Sequence, residues 1–443
     1  MIPCALGVDV GTTHLKLLAL TRDEEVLGPV RRPTPELHWH GVVAHDPEAV
    51  LAELAGMAHE LGRLAPEIQV VGVAVASMAE EGVLLDARGR VLAPAPAWFS
   101  PLPSRGLAAF CDAEGASRFY GVSGLRNPRV SSLAHWLGLV EAFPDLFAAA
   151  DRFLSMDAFV AYRLGGEAAL ARSQASRTGA WDVLGEHWDP WTLEQVGKTG
   201  RFLPPVRPTG ARLGSLRPGA LPLPSDPRAA VAVGGHDHAL GALGVGVTTP
   251  GAVLDSMGTA ESLLRPVSLS ALPDRALDLA VNASAGGTRH VAMVGLPTGR
   301  ALRLLGEAWG IAHLADLPWA EALARPAPAM TLDFGSVAGE GLPSALERLG
   351  LTSAPDPAIL AAVVHGMAEV ARQRLEALAS LDAAPFRVWA IGGAAAIPGH
   401  MDLRRRVLGR PVTVAPGSEH VALGAAKAAW AGVDPQVGQL APA

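Results

Sequence analysis

The residues best suited to chemistry sit where apolar runs end. Gly234–Gly235–His236–Asp237–His238 closes the run AVAVGG. Paired glycines let backbone pass close to a ligand, and His-Asp-His puts polar side chains at the end of an element. An aspartate there can serve as base for a substrate hydroxyl within hydrogen-bond reach. A zinc site needs three or four convergent ligands, and the third is not evident from sequence. A structural turn is the other reading. Asp9 precedes Gly11–Thr12–Thr13, where backbone N–H groups and a hydroxyl suit a phosphate and the carboxylate suits Mg²⁺ or its water shell. A plain β-turn accounts for the same residues. Gly258–Thr259–Ala260 repeats the pattern more weakly. Gly392–Gly393–Ala394–Ala395–Ala396 follows FRVWAI, and its small residues would let a flat ring or a ribose lie on backbone, or simply pack a strand against a helix. None of these is a lysine-bearing phosphate loop or a dinucleotide fingerprint.

Elements must hold these turns. Ala5 to Asp9 and Leu15 to Leu20 read as strands around the first turn, and Val70 to Ala76 as a buried strand. Pro47 to Leu64 reads as a helix capped by Asp46. Ser131 to Phe143, Met156 to Tyr162 and Ala358 to Leu381 also read as helices, and GSEHVALGAAKAAWAG as a capped terminal one. The proline-rich stretch Leu203 to Arg228 reads as a crossing between domains, dividing the chain into 1–228 and 229–443. LGVDVGTTHLKLLAL echoes VLDSMGTAESLL, which suggests a duplicated architecture with a ligand between the halves.

Composition narrows the class. At roughly 150 residues per domain, 443 residues suggest two or three domains. A net charge of -7 without a long basic run argues against nucleic acid as a partner. With 49% hydrophobic residues the chain can collapse, so disorder is a poor fit. Cys4 and Cys111 cannot build a disulfide framework. The opening MIPCALGVDVG lacks the features of a signal peptide, and the most apolar stretch, Ala229 to Val247, is broken by the His-Asp-His run. The expectation is a cytoplasmic protein without a membrane span.

In order along the chain, these segments resemble the FGGY family of carbohydrate kinases, whose relatives include xylulokinase, glycerol kinase and fuculokinase. GVDVGTTHLK resembles its first phosphate hairpin, SMAEEGVLLDARG its early substrate loop, and ASRTGAWDV with HWDP its signature region. GGHDH resembles the segment with the catalytic aspartate, DSMGTAESL the second phosphate hairpin, and IGGAAA the adenosine-binding turn. The resemblance implies an α/β fold of two ribonuclease-H-like, actin-like domains, with mixed sheets flanked by helices and a ligand cleft between them. It implies ATP and Mg²⁺, with Asp237 as general base and Asp9 organising the magnesium through water. Gly11, Thr12, Thr13, Gly258 and Thr259 would hold phosphates, and Gly392, Gly393 and Ala394 the nucleoside. A homodimer is plausible on the same ground.

Departures fall in the sugar site. Trp98 and Arg105 remain in AWFSPLPSRG, but no aspartate stands between them. Glu80 aligns with a sugar-contacting position, with Glu81 as its competitor, and His236 and His238 flank the base. Lys16 reads as a solvent-facing or edge residue. Trp136, Trp181, Trp188 and Trp191 read as core or lid packing. The expected activity is phosphorylation of a small sugar or polyol. A ketopentose such as xylulose leads, followed by fuculose, a tetritol or glycerol. A non-catalytic sensor or scaffold of the same fold, and an actin- or chaperone-like ATPase, are the rivals.

Overall fold

A computed structural model describes residues 1–258, 261–296, 298–326, 353–397 and 399–434. Two mixed sheets form its frame. In the first, Val26–Pro33, His14–Thr21 and Ile2–Val10 pair antiparallel, and Ile68–Ser77 and Ser225–His236 continue in parallel. Arg212–Ser215 closes that edge. In the second, His290–Leu296, Glu261–Val267 and Ala252–Met257 pair antiparallel, and Arg387–Ile391 and Val412–Val414 continue in parallel. Strand for strand the pattern is the same, so the echo between the two Gly-Thr segments reflects a duplicated sheet. Ala280–Ala283 adds a further edge strand to the second sheet.

The proline-rich stretch does not carry the chain out of the first sheet. Ser225–His236 crosses the expected boundary at 228/229 and lies beside Ile68–Ser77. Counted by sheets, the change comes after the helix Asp237–Val245. Proline is tolerated here because it falls in loops or, as Pro227, at the irregular start of Ser225–His236, where the pairing is interrupted between Ser225 and Ala230 and few ladder donors are lost.

Helices cover both sheets. Pro47–Leu64 starts where expected, with the Asp46 carboxylate accepting from the Glu48 and Ala49 amides. It packs with Met156–Leu164 on the outer face of the first sheet, around Leu6, Leu17, Met57 and Phe159. Thr298–Trp309 and Pro357–Ala379 cover the outer face of the second, around Leu263, Leu302 and Val363. Trp136 lies in a separate cluster with Phe153 and Phe202, and Trp181 against Trp188, as packing residues.

Between the sheets lie two helices, Asp237–Val245 and His420–Val433. Alanine and glycine let them approach closely. A Cβ on Gly424 would strike the Leu240 carbonyl, one on Gly244 the His420 carbonyl, and one on Gly7 the Ala422 carbonyl. The terminal helix lacks the expected cap. Glu419 precedes it in the left-handed region, and its side chain makes no capping bond because it pairs with Arg31 and Lys16.

Gly424→Ala is expected to destabilise the fold by about 3 kcal/mol, the upper range for overpacking, because the obstacle is backbone. Gly200→Ala, where an added Cβ meets nothing, should stay within about 0.5 kcal/mol of the parent in the same denaturant titration.

Candidate active site

Strand ends and helix starts from both halves open into one cleft of about 2200 Å³. Asp9 sits near the end of the first strand and is 2% exposed. Its Oδ2 accepts from Lys16 Nζ at 2.8 Å, across the antiparallel pair that joins them. Oδ1 is buried with no hydrogen-bond partner among the described residues. Burial raises the Asp9 pKa and Asp237 adds to this, while Lys16 opposes both. Lys16 is therefore a cleft cation shared between Asp9 and Glu419, not the edge residue its strand position suggested.

The Gly-Thr turn is held from several sides. Gly11 N–H donates to the His14 carbonyl at 3.2 Å, and Thr34 Oγ1 donates to the Gly11 carbonyl at 2.6 Å. Trp98 Nε1 donates to Thr12 Oγ1 at 3.0 Å, so a residue expected at the sugar orients a hydroxyl of the Gly-Thr turn.

Opposite lies the His-Asp-His run. His236 ends its strand in extended conformation and Asp237 opens the next helix. His236 Nε2 lies 3.0 Å from Asp237 Oδ1, which also accepts from the His238 amide at 2.6 Å. Burial alone would raise the Asp237 pKa. The charges of the two imidazoles and these two hydrogen bonds outweigh it and hold the carboxyl below its usual range. Burial pushes His238 down to about 4, so its ring is neutral at pH 7. Asp237 is thus an ionised acceptor with a modest proton affinity.

Glu80 faces the cleft in the left-handed region, with its carboxylate on Arg177. Arg177 Nη1 continues to Asn282 Oδ1 at 3.1 Å, in the second half. Gly258, Gly392 and Gly393 line the other end of the cleft. Gly392 has φ +97°, and a Cβ there would strike the Met257 carbonyl, while a Cβ on Gly393 meets nothing. That leaves a smooth wall on which a flat group can lie.

Residues 4–244 match the N-terminal domain of the FGGY family of carbohydrate kinases, and residues 307–432 match its C-terminal domain. The chain belongs to this family. It is 24% identical to L-fuculokinase of Escherichia coli (strain K12) over 268 residues, 58% of this chain and 56% of that protein. It is 27% identical to xylulose kinase of Klebsiella pneumoniae over 260 residues, 57% of this chain and 52% of that protein. The aligned part therefore spans little more than half of these relatives. The crystal structure of xylulose kinase from Rhodospirillum rubrum superposes with a TM-score of 0.81 at 22% identity, covering 98% of this chain and 91% of that one. This bears out the fold class: two mixed sheets flanked by helices, with a cleft between them.

Within this FGGY cleft the expected site divides. Asp9, Gly11, Thr12, Thr13, Glu80, Trp98, His236, Asp237, His238, Gly258, Gly392 and Gly393 meet in it. Thr259 lies outside the described residues. Glu81 turns away and is buried against His45 Nδ1 at 2.7 Å, because the left-handed backbone at Glu80 redirects the chain between the two strands. Burial raises Glu81, which the His45 contact only partly offsets. Arg105 is exposed outside the cleft lining, its amide held by Glu141 at 2.9 Å. Ala394 is also turned inward, and its carbonyl bonds His400 Nδ1 at 2.9 Å. Sequence reasoning passed over Arg177, Arg126, Arg31 and Glu419, all of which line the cleft. The arginine inside the quoted ASRTG segment was the available signal, since an arginine between small residues needs a buried partner.

At the end of the strand Ile68–Ser77, Asp157 accepts from Ser155 Oγ at 2.6 Å and Ser77 Oγ at 3.2 Å, and burial raises it to about 6.

Arg177→Met should leave Glu80 buried without its cation and destabilise the fold by about 3–5 kcal/mol, with Glu80→Met/Arg177→Met recovering much of that loss in a denaturation cycle. Asp157 binds its proton more tightly folded than unfolded. Its contribution is fully present below about pH 4 and is lost as pH rises through about 6, a change of roughly 3 kcal/mol. Asp157→Asn should remove that slope from the stability profile measured between those limits.

Proposed function

We propose that the protein transfers the terminal phosphoryl group of ATP to a hydroxyl of a small sugar or polyol, with a ketopentose such as xylulose as the leading acceptor. The observation that carries this reading is the meeting, in one cleft, of ionised Asp237 with the Asp9–Gly11–Thr12–Thr13 turn. Family membership supports it, as do relatives named for fuculose and xylulose.

In this reading the sugar lies between Glu80, Trp98 and Arg177, with the reacting hydroxyl at Asp237. The oxygen forms a bond to the terminal phosphorus as the bond from phosphorus to the bridging oxygen of ADP breaks. The hydroxyl proton passes to Asp237. A carboxylate of modest basicity suffices, because in a loose transition state the proton leaves late and positioning contributes most. The Gly11–Thr13 turn and the backbone at Gly258 receive phosphate oxygens, and Gly392–Gly393 backs the nucleoside. The unpartnered Oδ1 of Asp9 suits a water shell, and a magnesium ion there would neutralise phosphate charge. Lys16, already paired to Asp9, keeps that carboxylate aimed into the cleft.

Purified protein with MgATP should release ADP when given one compound from a panel of ketopentoses, deoxyketoses, tetritols, glycerol and aldoses. Asp237→Asn should lower turnover by about 10²–10⁴-fold while nucleotide still binds. ATP binding with no response to any acceptor would favour the non-catalytic reading.

A further inference from the structure

We infer that His236, Asp237 and His238 together form a binding site for one borderline transition-metal ion of the zinc and cobalt class. Three consecutive residues in ordinary helix or strand point apart, which is why the run by itself offered no third ligand. Here the chain changes from strand to helix between His236 and Asp237. One nitrogen from each ring and one carboxylate oxygen consequently lie within 4.8 Å of one another. His236 Nε2 and Asp237 Oδ1 are already 3.0 Å apart, close to the roughly 3.3 Å that two ligands keep around a tetrahedral ion with bonds of about 2.0 Å.

The donor set selects the ion. Two imidazoles and a carboxylate suit zinc, cobalt or nickel, whereas magnesium prefers oxygen ligands and water. Three protein ligands leave a fourth position, and it opens into the cleft that all three residues line. The supports are rigid. The His236 amide is held by Ser173 Oγ at 3.1 Å, and His238 Nε2 lies 3.4 Å from Ser262 Oγ. Arg177 stands near His238 and opposes the ion's charge, which limits affinity without changing the donor geometry. This site is separate in chemistry from Asp9, which offers carboxylate oxygen alone and is paired to Lys16. If the kinase reading holds, an ion here takes the carboxylate oxygens that would receive the hydroxyl proton, and zinc inhibits by competing with the acceptor.

The test is cobalt titration of the full chain without nucleotide, followed by visible absorption. One equivalent should give the intense bands of a four- or five-coordinate ion, unaffected by excess magnesium. His236→Gln and His238→Gln should each weaken binding at least about tenfold. X-ray absorption of the zinc-loaded, unsubstituted chain should report two imidazoles, a count that does not depend on any variant folding. An all-oxygen shell, no cobalt bands, or unchanged binding in the folded double variant would overturn the proposal. None of these readouts uses turnover, so a failed acceptor screen would sink the kinase reading and leave the metal site standing.

Discussion

Two helices packed backbone against backbone between the sheets set the geometry of everything else. Asp237–Val245 and His420–Val433 cross where Gly244 and Gly424 leave no room for a side chain, and Gly7 lets the second helix sit directly on the first sheet. Both helices begin at the cleft. Their first turns carry Asp237 and, just before the second, Glu419. Helix starts hold unpaired N–H groups and a partial positive charge, so each aims a favourable field at an anionic ligand. A larger residue at the crossing would push the sheets apart and separate Asp237 from the Gly11–Thr13 turn. The closeness of the helices is thus a condition of the cleft as well as of the fold.

Within that frame, charge burial distinguishes carboxylates that the sequence writes with the same letter. Asp237 is held low by imidazoles and hydrogen bonds, whereas Asp157 rises because two serine hydroxyls only partly offset its burial. Asp9 is raised by burial and partly restored by Lys16. Asp255 occupies the equivalent first strand of the second sheet, yet it does something different. It is fully buried with Glu261 and Arg404, one cation between two carboxylates. Burial raises Asp255, Arg404 opposes, and the adjacent Glu261 adds to the rise. Arg404 belongs to the helix after the Gly392 turn, so this cluster ties the second hairpin to the wall beside it.

Duplication of the sheet therefore did not duplicate the site. The first copy presents its aspartate to the cleft, and the second uses the same position as an internal strut. The halves are joined again beside Arg177. There Val281 N–H donates to the Gly124 carbonyl at 2.9 Å, and Asp278 lies between Arg126 and Arg374 at 3.2 and 3.0 Å. These contacts close one side of the cleft and bring Asn282 to Arg177.

Local pattern alone determined the strands around both Gly-Thr turns, the Asp46-capped helix and the glycine turn after FRVWAI. Each depends on neighbours in sequence: alternation, a cap three residues away, or a glycine that frees the backbone. The same pattern named Asp9 and His236 to His238, polar residues at the ends of apolar strands, whereas Glu80 came from the family resemblance. It could not separate Glu80 from Glu81, because Glu80 sits in a left-handed bend and Glu81 finds its partner in His45, 36 residues earlier. It misplaced the domain crossing, because prolines beside an edge strand look like prolines in a linker. Lys16, Arg177 and Glu419 took their places in the cleft only in three dimensions. A buried charge is defined by its partner, and theirs lie 7, 97 and 388 residues away in Asp9, Glu80 and Arg31.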